Sequence, residues 1–223
     1  MAYNIAVIPD GNRRFARREG ISLKQAYEKG FKKAEQVLNW CLERGDVDEV
    51  TLWGLSTENF KRNKTQLNIL NKMYKNKLKE LINSDKLIKN EVKVKVVGDA
   101  GFLKTLSPLV EELHEKTRNF NKLKLNIALA YGGKFELVNA FNNLIKEGKN
   151  KITESDVEKK LLISNPVDLI IRTSGIQRLS GYLLWQSAYA ELFFTKQLWP
   201  EFSKNEFNKA FDFLKKTKRN FGK

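Results

Sequence analysis

Asp10 stands as a single carboxylate among Gly11, Asn12, Arg13 and Arg14. The run Ile5-Ala6-Val7-Ile8 before it is apolar and reads as a buried strand. Pro9 and Gly11 break that strand, and a helix is expected to begin near Arg13. A strand that ends in a tight turn and feeds a helix presents free backbone N–H groups and a positive dipole end. A carboxylate beside fixed cations and free amides suits a Mg²⁺–diphosphate complex. Pro-Asp-Gly-Asn is also simply a good turn, so the reading depends on what the rest of the chain brings beside it.

The same pattern recurs. A second apolar strand, Val50-Thr51-Leu52-Trp53-Gly54-Leu55, ends in Ser56-Thr57-Glu58-Asn59-Phe60-Lys61-Arg62. A third, residues 92–97, closes on Gly98-Asp99, and its alternating lysines predict a wet face or a place near the sheet edge. Residues 123–131 end at Gly132-Gly133, and residues 166–171 at Arg172-Thr173-Ser174-Gly175, with Arg178 and Ser180 just beyond. The guanidinium forks of Arg14, Arg62, Arg172 and Arg178 match diphosphate oxygens and would stabilise a departing diphosphate. One His and one Cys in 223 residues exclude a protein-only zinc site and a Cys–His pair. His114 reads as a solvated helix residue, and Cys41 as core on an apolar stripe. Neither common nucleotide-binding glycine motif occurs.

Between the strands lie helical periodicities at residues 22–44, 65–84, 103–117, 134–146, 154–163, 182–192 and 204–219. Ser22 is the expected N-cap and Gly45 the stop of the first long helix. The alternation gives one α/β domain over residues 1–223, a mainly parallel central sheet flanked by helices. Ligands of such sheets bind beyond the carboxyl ends of the strands, which places every polar motif above on one rim. Lys and Arg number 41 against 26 Asp and Glu, a net charge of +15 that favours anionic partners. The lysines are spread over six of these seven helical spans, which argues against a groove-reading nucleic-acid element and leaves peripheral contact with anionic membrane as a use for the charge. The lone cysteine, and an N-terminus that leads straight into a strand, suggest a cytoplasmic protein.

Taken in order, these motifs resemble the cis-prenyltransferases, the undecaprenyl diphosphate synthase family, along nearly the whole chain. The segments carrying the likeness are residues 10–15, residues 56–62, Gly98-Asp99 and Tyr131-Gly132-Gly133-Lys134. Arg172-Thr173-Ser174-Gly175, Arg178, Ser180, Leu183-Leu184-Trp185-Gln186, Ala190-Glu191-Leu192 and Leu198-Trp199-Pro200 complete it. The resemblance implies condensation of isopentenyl diphosphate with an allylic prenyl diphosphate. Asp10 would bind Mg²⁺ on diphosphate and assist ionisation, with Glu191 supporting the metal. Gly11, Asn12, Arg13, Arg14 and Phe15 would hold the allylic diphosphate. Asn59, with Ser56, Phe60 and Arg62, would orient the second substrate, and Arg172, Arg178 and Ser180 would bind isopentenyl diphosphate. It also implies a homodimer whose C-terminal Gly222 reaches the partner's site, and an apolar tunnel between the two long helices and the sheet, with Gly54 in its lining.

The chain departs from the family pattern at several places. Phe15 replaces a Trp, Tyr27 a His, and Ile176-Gln177 a Glu-His pair. Two alternatives follow: transfer of the prenyl group to a different acceptor, or a non-catalytic subunit of a heteromeric enzyme. The second is disfavoured because Asp10, Asn12, Arg14, Asn59 and Arg172 are all present.

Overall fold

A computed structural model describes residues 2–58 and 64–217, with the side chains of 64 and 65 excepted. Six strands form one sheet: β1 Tyr3–Ile8, β2 Val47–Trp53, β3 Val92–Val97, β4 Leu123–Ala128, β5 Leu169–Arg172 and β6 Glu191–Phe194. Their order is β3-β4-β2-β1-β5-β6, and every pairing is parallel. Helices cover both faces of such a sheet, so its central strands are continuous apolar runs, and β5 is buried at every residue. Ile5 and Val7 of β1 face the larger of two core layers, while Ala6 and Ile8 face the other.

The helices among the described residues are α1 Asn12–Arg18, α2 Leu23–Arg44, α3 Lys64–Ile82, α4 Asp85–Lys89, α5 Ala100–Leu103, α6 Ser107–Thr117, α7 Gly133–Lys146, α8 Glu154–Lys160 and α9 Lys204–Lys216. In α2 the capping box is complete: Ser22 accepts from the Gln25 amide and Gln25 returns a bond to the Ser22 amide. Gly45, at φ 69°, ends α2 in the left-handed conformation. Ala26, Val37, Leu38 and Cys41 of α2 are buried. Burial raises the Cys41 thiol to about 12, so it is packing and not a nucleophile.

Two expected helices differ. The span 103–117 is split: Asp99 caps the short α5 through the Phe102 amide, and Pro108 in the first turn opens α6. Residues 182–190 form turns, with Leu183 at φ 45°. Tertiary bonds override helical propensity there. The Tyr182 hydroxyl donates to the Thr51 carbonyl at 3.1 Å, and its ring stacks on Trp53 at 4.6 Å. Gln186 donates to the buried carboxylate of Glu136 at 3.0 Å.

β3 is an edge strand, as its lysines predict, and α6 covers the edge. Thr117 Oγ1 accepts from the Val94 amide at 3.1 Å, and His114 Nε2 accepts from the Val96 amide at 2.8 Å. His114 is therefore half-buried and structural, which corrects its reading as a solvated residue. Burial, with the nearby Lys95 charge, lowers its pKa below the ordinary 6.5. The neutral ring is the acceptor, so the folded state resists a proton that the unfolded chain takes up. Stability is therefore full above pH 6.5 and falls as the pH drops through and below that value. Losing one such hydrogen bond, about 1 kcal/mol, should lower the melting temperature by about 2–4 °C between pH 7.5 and 5. Thermal melts of the protein and of His114→Gln check this, because the variant should lack that component of the pH slope.

Candidate active site

β1 lies where the strand order changes direction: the chain goes from β1 to β2 on one side and returns later to add β5 on the other. Such a switch point opens a crevice at the carboxyl ends of the strands. Register places Ile8 opposite Arg172, so the two strands deliver Asp10 and Arg172 to one crevice.

Asp10 is held through its backbone. Its amide donates to Ile8 at 2.9 Å, and its carbonyl accepts from the Trp199 amide at 3.0 Å and from the Thr173 hydroxyl at 2.7 Å. Gly11 follows at φ 113°, where a side chain would also collide with Leu198. The Asp10 carboxylate accepts from Arg172 Nη2 at 3.0 Å and lies 3.4 Å from Arg14 Nη2. Arg14 is fixed by donating from Nη1 to the Ser174 carbonyl at 2.9 Å. Arg172 is almost fully buried, and its Nη1 donates to Ser180 Oγ at 2.8 Å and to the Arg178 carbonyl. Burial alone would raise the Asp10 pKa, but the hydrogen bond and charge of Arg172, and the charge of Arg14, outweigh it and hold the carboxylate below its ordinary range.

The polar cleft around these groups has a volume of about 620 Å³. Among the described residues Arg13, Arg14, Arg17 and Arg172 line it against Asp10 and Glu58. Gly11 at the N-cap has no side chain to cap α1, so the first-turn amides have no capping partner among the described residues. Among the described residues four buried side-chain atoms make no hydrogen bond, and Asn12 Oδ1, Arg172 Nε and Ser174 Oγ are three of them. Buried polar atoms are normally paired, so this rim is built for a ligand that supplies the partners. An excess of fixed cations with a single held carboxylate fits a diphosphate carrying a divalent ion. No group of three potential ligands occurs among the described residues, so such an ion would take Asp10 and phosphate oxygens.

An apolar cavity of about 140 Å³ opens beside the cleft, between α2, α3 and the sheet. Pro9, Asn12, Tyr27, Trp53 and Gly54 border both spaces. Tyr74 donates to the Gly54 carbonyl at 2.6 Å, and its ring meets Phe31 edge-on at 5.3 Å. A charged head group and an apolar tail thus have adjoining places.

The structure brings together Asp10, Gly11, Asn12, Arg13, Arg14, Ser56, Arg172 and Ser180. The Arg178 side chain is exposed, and its carbonyl anchors Arg172. Phe15 is not among the residues lining the cleft; it is buried beside Ala26 and Leu198. Glu191 opens β6 opposite Leu169, three residues below the level of Arg172, so within one chain it is not brought to Asp10. Gly98 serves close packing: a side chain there would stand 1.5 Å from the Leu129 carbonyl oxygen. Asn59, Phe60, Arg62 and Gly222 lie outside the described residues. Arg17 and Glu58 were not singled out from sequence. Arg17 follows Arg13 and Arg14 by four and three positions, a spacing that puts all three on one helix face.

Residues 8–222 match the family model described as "Putative undecaprenyl diphosphate synthase". The tritrans,polycis-undecaprenyl-diphosphate synthase (geranylgeranyl-diphosphate specific) of Thermoplasma acidophilum is 40% identical over 230 residues, covering 99% of this chain and 88% of the relative. An isoprenyl transferase of Thermus thermophilus is 37% identical over 236 residues, covering 100% and 89%. Among solved structures, lavandulyl diphosphate synthase from Lavandula x intermedia in complex with dimethylallyl diphosphate superposes with a TM-score of 0.89 at 26% identity, over 99% of this chain and 98% of that one. A probable undecaprenyl diphosphate synthase from Campylobacter jejuni gives a TM-score of 0.83 at 28% identity, over 100% and 99%.

Proposed function

Because the chain belongs to the undecaprenyl diphosphate synthase family of prenyltransferases, we propose that it condenses isopentenyl diphosphate with an allylic prenyl diphosphate, releasing diphosphate and extending the chain in cis. The observation that carries this reading is the junction of the Asp10–Arg172–Arg14 cleft with the apolar cavity at Tyr27, Trp53 and Gly54.

Arg13, Arg14 and the first-turn amides of α1 bind the allylic diphosphate, and its tail enters the apolar cavity. Arg172, fixed from three sides, holds a second diphosphate beside it in a set geometry. The family uses a divalent metal; as Mg²⁺ it would be held by Asp10 and would supply charge neutralisation to the departing diphosphate. The low pKa of Asp10 keeps it ionised for that role at neutral pH. Asn59, Phe60 and Arg62 belong to the same proposal by resemblance. Relatives specific for geranylgeranyl diphosphate support that primer.

A homodimer is part of the proposal, with Gly222 reaching the partner's site, and by resemblance Glu191 supports the metal or the arginines. The outer strand β6 supports the homodimer, with Tyr189, Leu192 and Phe213 exposed nearby. Among the described residues no helix is long and apolar enough to cross a membrane. The +15 charge supports peripheral attraction to an anionic bilayer, where a lipid product would leave.

Labelled isopentenyl diphosphate, offered with geranyl, farnesyl and geranylgeranyl diphosphates, tests the reading. Incorporation with Mg²⁺, lost in EDTA and restored by excess Mg²⁺, is the expected result. A folded protein that incorporates no label with any primer would overturn it.

A further inference from the structure

The face of the sheet turned away from the larger core layer carries two polar rows across β2, β4 and β3. Register sets Glu49, Lys124 and Lys93 side by side, and Thr51, Asn126 and Lys95 side by side two residues further on. The charged members of both rows line a pocket of about 400 Å³, together with His114 and Arg118 of α6 and residues 162–165. Small-molecule sites commonly enclose about 300–1,000 Å³. The pocket shares no lining residue with the polar cleft or the apolar cavity. Among the described residues Lys93, Lys95, Arg118 and Lys124 line it against one carboxylate, Glu49. Glu49 is buried and already committed: it accepts from Lys124 Nζ at 3.1 Å, from Asn165 Nδ2 at 2.6 Å and from Asn126. Arg118 pairs at 2.7 Å with Glu115, and both are exposed, so that pair is worth little.

Lys93 stands directly opposite Lys124, and like charges facing each other across strands destabilise a sheet. Lys95 donates to the Leu162 carbonyl at 2.7 Å, and among the described residues neither Lys93 nor Lys95 has a carboxylate within ion-pair distance. Burial, and after it the charge of Lys124, lowers the Lys95 pKa below its ordinary 10.5. We propose that this pocket is a second anion site, binding free phosphate or diphosphate between the ammonium groups of Lys93, Lys95 and Lys124. Such an anion converts the repulsion between neighbouring strands into attraction. Its several oxygens meet three ammonium groups at once through charge-assisted hydrogen bonds. The excess of positive charge over Glu49 favours a multiply charged phosphate over a monocarboxylate.

His114 is the one histidine of the chain and lines this pocket, so its ring proton resonance is a ready reporter. At constant pH, titration with inorganic diphosphate, and separately with inorganic phosphate, should shift the Cε1 proton saturably, half-complete below about 1 mM. Sodium chloride at matched ionic strength should not reproduce the shift. Lys93→Gln/Lys95→Gln keeps polar side chains on an exposed edge and should move the midpoint up by about tenfold or more, with circular dichroism unchanged. If the double variant misfolds, Lys93→Gln alone should move the midpoint in the same direction. No saturable shift, or one that chloride matches, overturns the proposal. So does a midpoint unmoved in a folded variant, since the anion would then be bound elsewhere. A shift produced by phosphatidate-containing vesicles and by neither free anion also overturns it, and would assign the lysines to a membrane surface.

Discussion

Asp10→Asn is expected to lower kcat/KM for isopentenyl transfer by roughly a thousandfold, corresponding to about 4 kcal/mol of lost charge stabilisation. The fold should survive. The amide oxygen of Asn can still accept from Arg172 Nη2, and the main-chain bonds from Trp199 and Thr173 do not involve the side chain. What disappears is the negative charge set between Arg14 and Arg172, and with it the proposed anchor for a divalent ion. Arg172 then lacks its counter-charge, so affinity for free diphosphate should hold or rise while turnover collapses. Steady-state kinetics beside circular dichroism would decide it, and a loss smaller than tenfold would remove Asp10 from the chemistry.

Arg172→Ala should cost about 10²–10³ in kcat/KM, the usual effect of deleting one preorganised donor at a developing charge. It also leaves Ser180 Oγ and the Arg178 carbonyl without their donor, for a stability loss of about 1–3 kcal/mol. Asp10 loses its strongest source of stabilisation, so its pKa should rise and carry the acid limb of the pH–rate profile upward. Arg172→Lys should recover little, because one ammonium cannot span Asp10, Ser180 and the Arg178 carbonyl at once. A lysine variant with near-normal kinetics would show that charge alone is needed there.

The site was legible where strand ends and charge coincide. Asp10 and Arg172 each follow a buried run, and one topological rule joins them. The capping box at Ser22 and the apolar stripe of α2 were equally plain, because both are local. What escaped was set by tertiary contact. His114 sits in a charged helical segment, and nothing in its neighbours announces that it accepts from an edge strand. Tyr182 and Gln186 fall in a helical pattern, yet Thr51, Trp53 and Glu136 claim them and the chain turns. Phe15 belongs to a binding motif but follows helix periodicity into the core. Glu191 belongs to the last motifs, but the register of β6 sets its height in the sheet.

The side chains that α6 lends to β3 have a consequence for assembly. With the Val94 and Val96 amides already engaged, that end of the sheet offers a poor template for another strand. No described side chain takes the same role on β6, the strand at the opposite end. Edge-to-edge pairing of copies from head to tail would need both ends and is therefore disfavoured, whereas a contact between copies through β6 would be isologous and would close after two.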